Sequence, residues 1–214
     1  MRSALFIMLA AVHLGACSDP AADPLPTGDG GSLTDGGVGA GGGASDGGDG
    51  GAGGAGGDPD PHPLGMDMPA FAFEDLNPNS VTYGQTVDSA DLLGAPYALI
   101  FLDSRCTLCP DVADDIWAAY QAHPTWWDAQ PTYGVERAEA LATAPETVAA
   151  VVEGNGLPYL ADTEQTNLWF IMKALNHDFF AVSAEGKLDA WLPLYLWPED
   201  EPKFIQHMTD RYGP

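Results

Sequence analysis

The chain has 214 residues and carries 31 acidic against 7 basic side chains, a formal charge of −24 at pH 7. That balance excludes a nucleic-acid partner and charge-driven binding to anionic lipid headgroups, since both need a basic surface. With only three cysteines, a four-cysteine zinc site is excluded as well.

Residues 1–16 read as an export signal. Arg2 supplies the positive start and residues 4–14 the apolar run, which is too short to span a bilayer. The stretch Leu14-Gly15-Ala16-Cys17 resembles a bacterial lipobox. That resemblance implies cleavage before Cys17 and acylation of its sulfur and new N-terminus, where several chains together anchor stably. Ser18 rather than Asp at the next position resembles the outer-membrane sorting preference of enteric bacteria. The expected location is therefore the cell envelope, with the outer membrane favoured over the inner in a Gram-negative cell.

Residues 17–65 form a lipid-anchored linker rich in Gly, Asp and Pro, with runs such as Gly53-Gly54-Ala55-Gly56-Gly57. They offer too little apolar surface to offset backbone entropy, so a disordered tether is expected. At about 5–6 Å × √n such a segment spans roughly 35–40 Å. Its glycines keep no three-residue period, which excludes collagen.

Residues 66–214 suit one domain with an ordinary core. Its first part predicts a short edge strand over 69–76, a turn at Asn77-Pro78-Asn79-Ser80, a second strand or extended loop over 81–85, and one helical turn over 87–93. Residues 97–102, an apolar run without polar alternation, predict a buried strand. The chain then reads Asp103-Ser104-Arg105-Cys106-Thr107-Leu108-Cys109-Pro110-Asp111. Pro110 and the acidic residues after it mark a helix start, which places the C-x-x-C at a strand-to-helix elbow.

The helix is expected over 111–123, with Val112, Ile116, Ala119 and Tyr120 on one face and Pro124 as its stop. Trp126 and Trp127 are expected on a strand or loop, one ring on the core and the other exposed. Further expectations are a strand over 132–135, a helix over 145–153, an extended piece over 157–160 and a helix over 163–175 capped at Asp162 or Thr163. A hairpin of 179–182 with 188–192 turns at Glu185-Gly186, and a helix over 202–212 closes the chain.

A thiol at a helix start has a stabilised thiolate, and the thiolate is the nucleophile of disulfide exchange. Cys106 is the expected attacking sulfur and Cys109 the resolving one. Two other readings stay open: a structural disulfide and part of a metal site. The helix dipole is worth about 0.3–1 kcal/mol against about 1.4 kcal/mol per pKa unit, so it lowers Cys106 by less than one unit. Arg105 would add to this. Asp103, Asp111, Asp114 and Asp115 would oppose it, so a modest lowering and a reducing pair are expected.

The order strand, C-x-x-C, helix, strand, helix, helix, hairpin, helix is an alternating α/β pattern ending in an antiparallel pair. Over about residues 68–212 it resembles the thioredoxin-fold redoxin group, which includes peroxiredoxins and the TlpA/ResA-type thiol–disulfide oxidoreductases. The residues that carry the likeness are Phe71-Ala72-Phe73-Glu74-Asp75-Leu76, the C-x-x-C elbow, Leu157-Pro158-Tyr159-Leu160-Ala161-Asp162 and Ala184-Glu185-Gly186-Lys187-Leu188. The resemblance implies an α/β thioredoxin-like fold, a central mixed sheet flanked by helices, and an envelope oxidoreductase acting on protein or small-molecule thiols and disulfides without a cofactor.

Two departures stand out. The group's cis-proline belongs nine residues before Gly186, and His177 stands there instead. The peroxidase motif P-x-x-x-T-x-x-C is missing. Arg105, Pro110, His177 and Asp178 are the expected neighbours of the dithiol. His177 with Cys106 and Cys109 gives a second reading, a copper- or zinc-binding module. A degenerate thioredoxin fold serving only for docking is a third.

Overall fold

The computed structural model describes residues 62–214, so Cys17, the expected signal and most of the expected tether lie outside the described residues. Two short strands, β1 (Ala72–Glu74) and β2 (Thr86–Asp88), pair antiparallel as a separate ribbon. The main sheet is built on β3 (Tyr97–Phe101), whose five side chains are all buried. A strand buried on both faces has no use for alternation, which is why its sequence reads as an unbroken apolar run.

On one side β3 pairs in parallel with β4 (Thr132–Glu136), which pairs in parallel with β5 (Tyr159–Ala161). On the other it pairs antiparallel with β6 (Asp178–Val182), which continues into the hairpin strand β7 (Leu188–Pro193). The order is β5-β4-β3-β6-β7, the mixed central sheet that the sequence leads one to expect.

Among the described residues six α-helices accompany it: α1 (Cys109–Ala122), α2 (Pro124–Ala129), α3 (Ala138–Thr143), α4 (Val148–Val152), α5 (Leu168–Ile171) and α6 (Glu201–Tyr212). Ala98, Ile100 and Leu102 pack with buried residues of α1, α2, α4 and α6, including Ile116, Trp126, Val151 and Phe204. Tyr97, Leu99 and Phe101 pack on the other face with Phe71 and Phe73 of the first segment and Leu168 and Trp169 of α5. Each fully buried large side chain contributes about 1.5–3 kcal/mol, so this two-faced core fixes β3 and the turn that leaves it.

Five local expectations are corrected, the helical turn expected over 87–93 among them, since Val87 and Asp88 belong to β2. The second strand lies at 86–88 rather than 81–85, because Ser80 and Thr82 turn their hydroxyls onto the buried Asp75 at 2.5 and 2.7 Å. Trp126 and Trp127 sit on a helix, since Pro124 ends α1 and also starts α2, a first-turn position that suits its fixed φ. Trp126 is fully buried, while Trp127 is partly buried, edge-on to Trp117 and Tyr120. The helix expected over 163–175 shrinks to α5, because Asn167 at φ 44° and Lys173 at φ 48° break the helical path on either side. Asn167, rather than Asp162 or Thr163, caps it by accepting from the Phe170 N–H. The sequence reading has no counterpart of α3.

Gly134 of β4 has a specific use. A Cβ there would stand 2.6 Å from Tyr159 Cδ2, so only glycine lets that ring lie across β4. The Tyr159 hydroxyl thereby reaches the Leu102 carbonyl at 2.7 Å, at the end of β3 where the elbow begins.

Candidate functional site

The elbow is a tight turn held from below. After Phe101, the Leu102 N–H still bonds to Val135, and the chain then folds so that the Cys106 N–H donates to Asp103 and the Cys109 N–H to Cys106. The Ser104 N–H donates to both oxygens of Glu136 at 3.2 Å, and the Asp103 N–H to Asn176 Oδ1 at 3.2 Å. The turn is thus tied to the end of β4 on one side and to the segment before β6 on the other.

Helix α1 has no side-chain cap. Leu108 is its N-cap residue, and the Leu108 backbone N–H favours the Cys106 thiolate. Cys106 is half-buried and Cys109 fully buried, both as free thiols.

Opposite them stands His177, 3% exposed, the residue just before β6. Its N–H donates to Phe101 at 2.8 Å and its carbonyl accepts from Leu194 at 3.2 Å, which holds its backbone between β3 and the end of β7. Its φ of +69° lies in the left-handed region. Proline, fixed near −65°, could not occupy this backbone. His177 Nε2 lies 3.9 Å from Cys106 Sγ and 3.4 Å from Cys109 Sγ.

The electrostatics separate the two thiols. Cys106 is lowered to about 4, first by the hydrogen bond from the Cys109 thiol, then by His177 and the Leu108 N–H, against the opposing effect of burial. Cys109 is pushed far up, because it is the donor to Cys106 and because it is buried beside that charge. The lowering of Cys106 exceeds the modest shift expected from the helix dipole. Cys109, three residues on in the C-x-x-C, contributes most, and His177 adds to it from 71 residues away.

The remaining expected neighbours fall differently. Arg105 turns away from Cys106 and forms a two-pronged pair with Asp103, at 2.9 and 2.6 Å, with Glu139 at 3.4 Å. Its charge offsets Asp103, whose carboxyl is held below the usual range by that partner against burial. Asp115 accepts from Trp197 Nε1 and Asp114 from Asn155, so both carboxylates have partners along α1. Pro110 lies in the first turn of α1. Asp178 follows His177, but its carboxylate takes Trp191 Nε1, the Tyr195 hydroxyl and the Leu175 N–H, which closes the turn that carries His177.

Sequence reasoning missed Glu136 and Tyr159. Glu136 is fully buried under the elbow, and burial raises its carboxyl above the usual range even though Ser104, Tyr159 and the Arg137 N–H donate to it. A carboxylate ending a buried apolar strand was the available signal. A groove among the described residues lies elsewhere, between α3 and α5, lined by Arg137, Trp169, Phe170 and Lys173, without the cysteines.

No protein-family model matches the chain, and no curated protein does. Solved structures do. A Chlorobium tepidum protein provisionally named thiol:disulfide interchange protein DsbE is 17% identical, with a TM-score of 0.54 over 71% of this chain and 99% of its own. The thioredoxin domain of a thiol-disulfide oxidoreductase from Bacteroides vulgatus is 16% identical, with a TM-score of 0.50 over 68% of this chain and 96% of its own. An uncharacterized conserved protein from Geobacillus kaustophilus is 19% identical, with a TM-score of 0.50 over 71% and 85%. At these identities the likeness is one of fold: the domain has a thioredoxin-like architecture.

Proposed function

We propose that the chain is a thiol–disulfide oxidoreductase in which Cys106 attacks and Cys109 resolves. The observation that carries this reading is the asymmetry of the pair. The sulfur that reaches the surface is the one whose thiolate is stabilised, and the sulfur behind it is fully buried and holds its proton.

Cys106 thiolate attacks one sulfur of a substrate disulfide, forming a mixed disulfide and expelling the other substrate sulfur as a thiolate. His177 Nε2 gives the proton it shared with Cys106 to the expelled thiolate, then takes the Cys109 proton at 3.4 Å as Cys109 attacks Cys106 Sγ. The second substrate thiolate leaves, and two electrons have passed from the dithiol to the substrate. Run backwards, the same steps oxidise a substrate dithiol. The solved structures named for disulfide chemistry agree with this reading through their fold.

The oxidised chain should oxidise a model dithiol peptide. Cys106→Ser should abolish turnover, and Cys109→Ser should accumulate mixed disulfides. Failure of either cysteine to react in the folded, reduced protein would leave the pair structural.

The same proposal places the protein in the bacterial envelope, held by lipid on Cys17, on the strength of Leu14-Gly15-Ala16-Cys17 and the linker that follows. Cys17→Ser should release it from membranes. Unacylated wild-type protein in the soluble fraction would overturn the anchor and leave the chemistry untouched.

A further inference from the structure

The dithiol and His177 together present three soft donor atoms to one point. Cys106 Sγ, Cys109 Sγ and His177 Nε2 all lie within 4.8 Å of one another. We infer that the reduced protein binds one Cu(I) ion through these three atoms, a role that goes beyond disulfide exchange because neither sulfur need react.

The distances fit a bound ion. Metal–sulfur bonds of about 2.3 Å and metal–nitrogen bonds of about 2.0–2.1 Å, at trigonal or tetrahedral angles, place sulfur and nitrogen roughly 3.5–3.8 Å apart. The two observed separations are 3.4 and 3.9 Å, on either side of that window. Shifts of a few tenths of an ångström would seat an ion.

The ligands are also held in advance of binding. His177 is fixed through both of its backbone groups in a left-handed conformation, and the two cysteines share one turn at the start of α1. Little ordering is left for the metal to impose.

The ion follows from the donors. Two sulfurs and an imidazole are a soft set, suited to Cu(I) and to zinc. Zinc asks for four ligands, from protein or water. Among the described residues no fourth cysteine, histidine or carboxylate joins the set, and with Cys109 fully buried and His177 3% exposed there is little space for a coordinated water. Cu(I) is satisfied by three. Binding displaces the Cys109 proton to solvent and moves no electrons. Oxidation to the disulfide removes both thiolates, so metal retention and dithiol oxidation exclude each other.

The test is anaerobic titration of the reduced Cys17→Ser chain, whose remaining thiols are Cys106 and Cys109, with Cu(I) against a chromogenic chelator. One equivalent should bind, both thiols should be shielded from alkylation while it is held, and the oxidised chain should take up none. His177→Asn keeps both thiols and a side chain that tolerates left-handed backbone but removes the imidazole, and His177→Gly relieves that backbone altogether. Each variant, its fold confirmed by circular dichroism, should bind at least tenfold more weakly. No uptake by the reduced wild type, or undiminished uptake by both folded variants, overturns the site. Preference for zinc over Cu(I) at equal concentration overturns the ion.

Discussion

His177 Nε2 lies 3.4 Å from the sulfur of Cys109, 68 residues away in sequence. That contact couples the start of α1 to the residue before β6, and it gives the buried thiol its one described side-chain base.

The resolving step should therefore depend on His177. A positioned base contributes about 10²–10⁴-fold to a proton transfer. His177→Asn should retain attack by Cys106 and prolong the mixed disulfide at least tenfold, as measured by rapid acid quench and mass analysis. Release at the wild-type rate would remove His177 from the exchange chemistry.

Cys106 should alkylate first, with a rate that rises through pH 4 and is nearly flat from pH 6 to 8. An unperturbed thiol titrates near 8.5. The sign for stability follows: with a depressed folded-state value, the reduced fold gains stability that is full above the ordinary thiol range and is lost as pH falls through about 4. A thiolate stabilised this way also favours the reduced form, so the reduction potential should lie on the oxidising side, nearer −120 than −270 mV. A midpoint above pH 7, or a potential below about −250 mV, would contradict this and restore the reducing pair expected from the dipole alone.

Glu136 has a raised folded-state pKa, so its contribution is present at acid pH and lost as pH rises through that raised value. Glu136→Gln should remove this pH dependence and leave stability at pH 8 equal or higher by about 1 kcal/mol. The single Tyr159 hydroxyl proton, shared between Leu102 and Glu136, can pass wholly to Leu102, which leaves the oxygen free to accept from the new amide. Glu136→Leu should cost about 1–3 kcal/mol, since the Ser104 and Arg137 N–H groups lose their acceptor. Urea melts at pH 5 and pH 8 separate these outcomes.

Asp75 is fully buried and accepts from the Asn77 and Tyr159 N–H groups, both at 2.9 Å, and from the Ser80 and Thr82 hydroxyls. Asp75→Ala strands four donors and should cost about 3 kcal/mol or more. A loss under about 1 kcal/mol in chemical denaturation would mean that the segment after β1 repacks freely.

The sequence by itself determined what is local. An unbroken apolar run specified the doubly buried β3, the proline after the C-x-x-C specified a helix start, and Glu185-Gly186 specified the β6–β7 turn, where Gly186 takes φ 76°. Each rests on backbone preference or hydrophobic period within a few residues, which the chain carries wherever it goes. Counting from that turn also placed His177 opposite the dithiol.

Contacts between distant segments tune how the site is charged. Arg105 is next to Cys106 in sequence, yet its guanidinium is spent on Asp103 and Glu139. Glu136 and Tyr159 arrive from β4 and β5 to hold the elbow from beneath, and no periodicity announces them. The short α5 was hidden for the same kind of reason: Asp162 takes the Trp169 N–H and Asn167 turns left-handed, so tertiary and capping bonds override the helical pattern. Electrostatic and hydrogen-bonding terms sum over neighbours in space, and those neighbours exist only once the sheet has brought distant segments together.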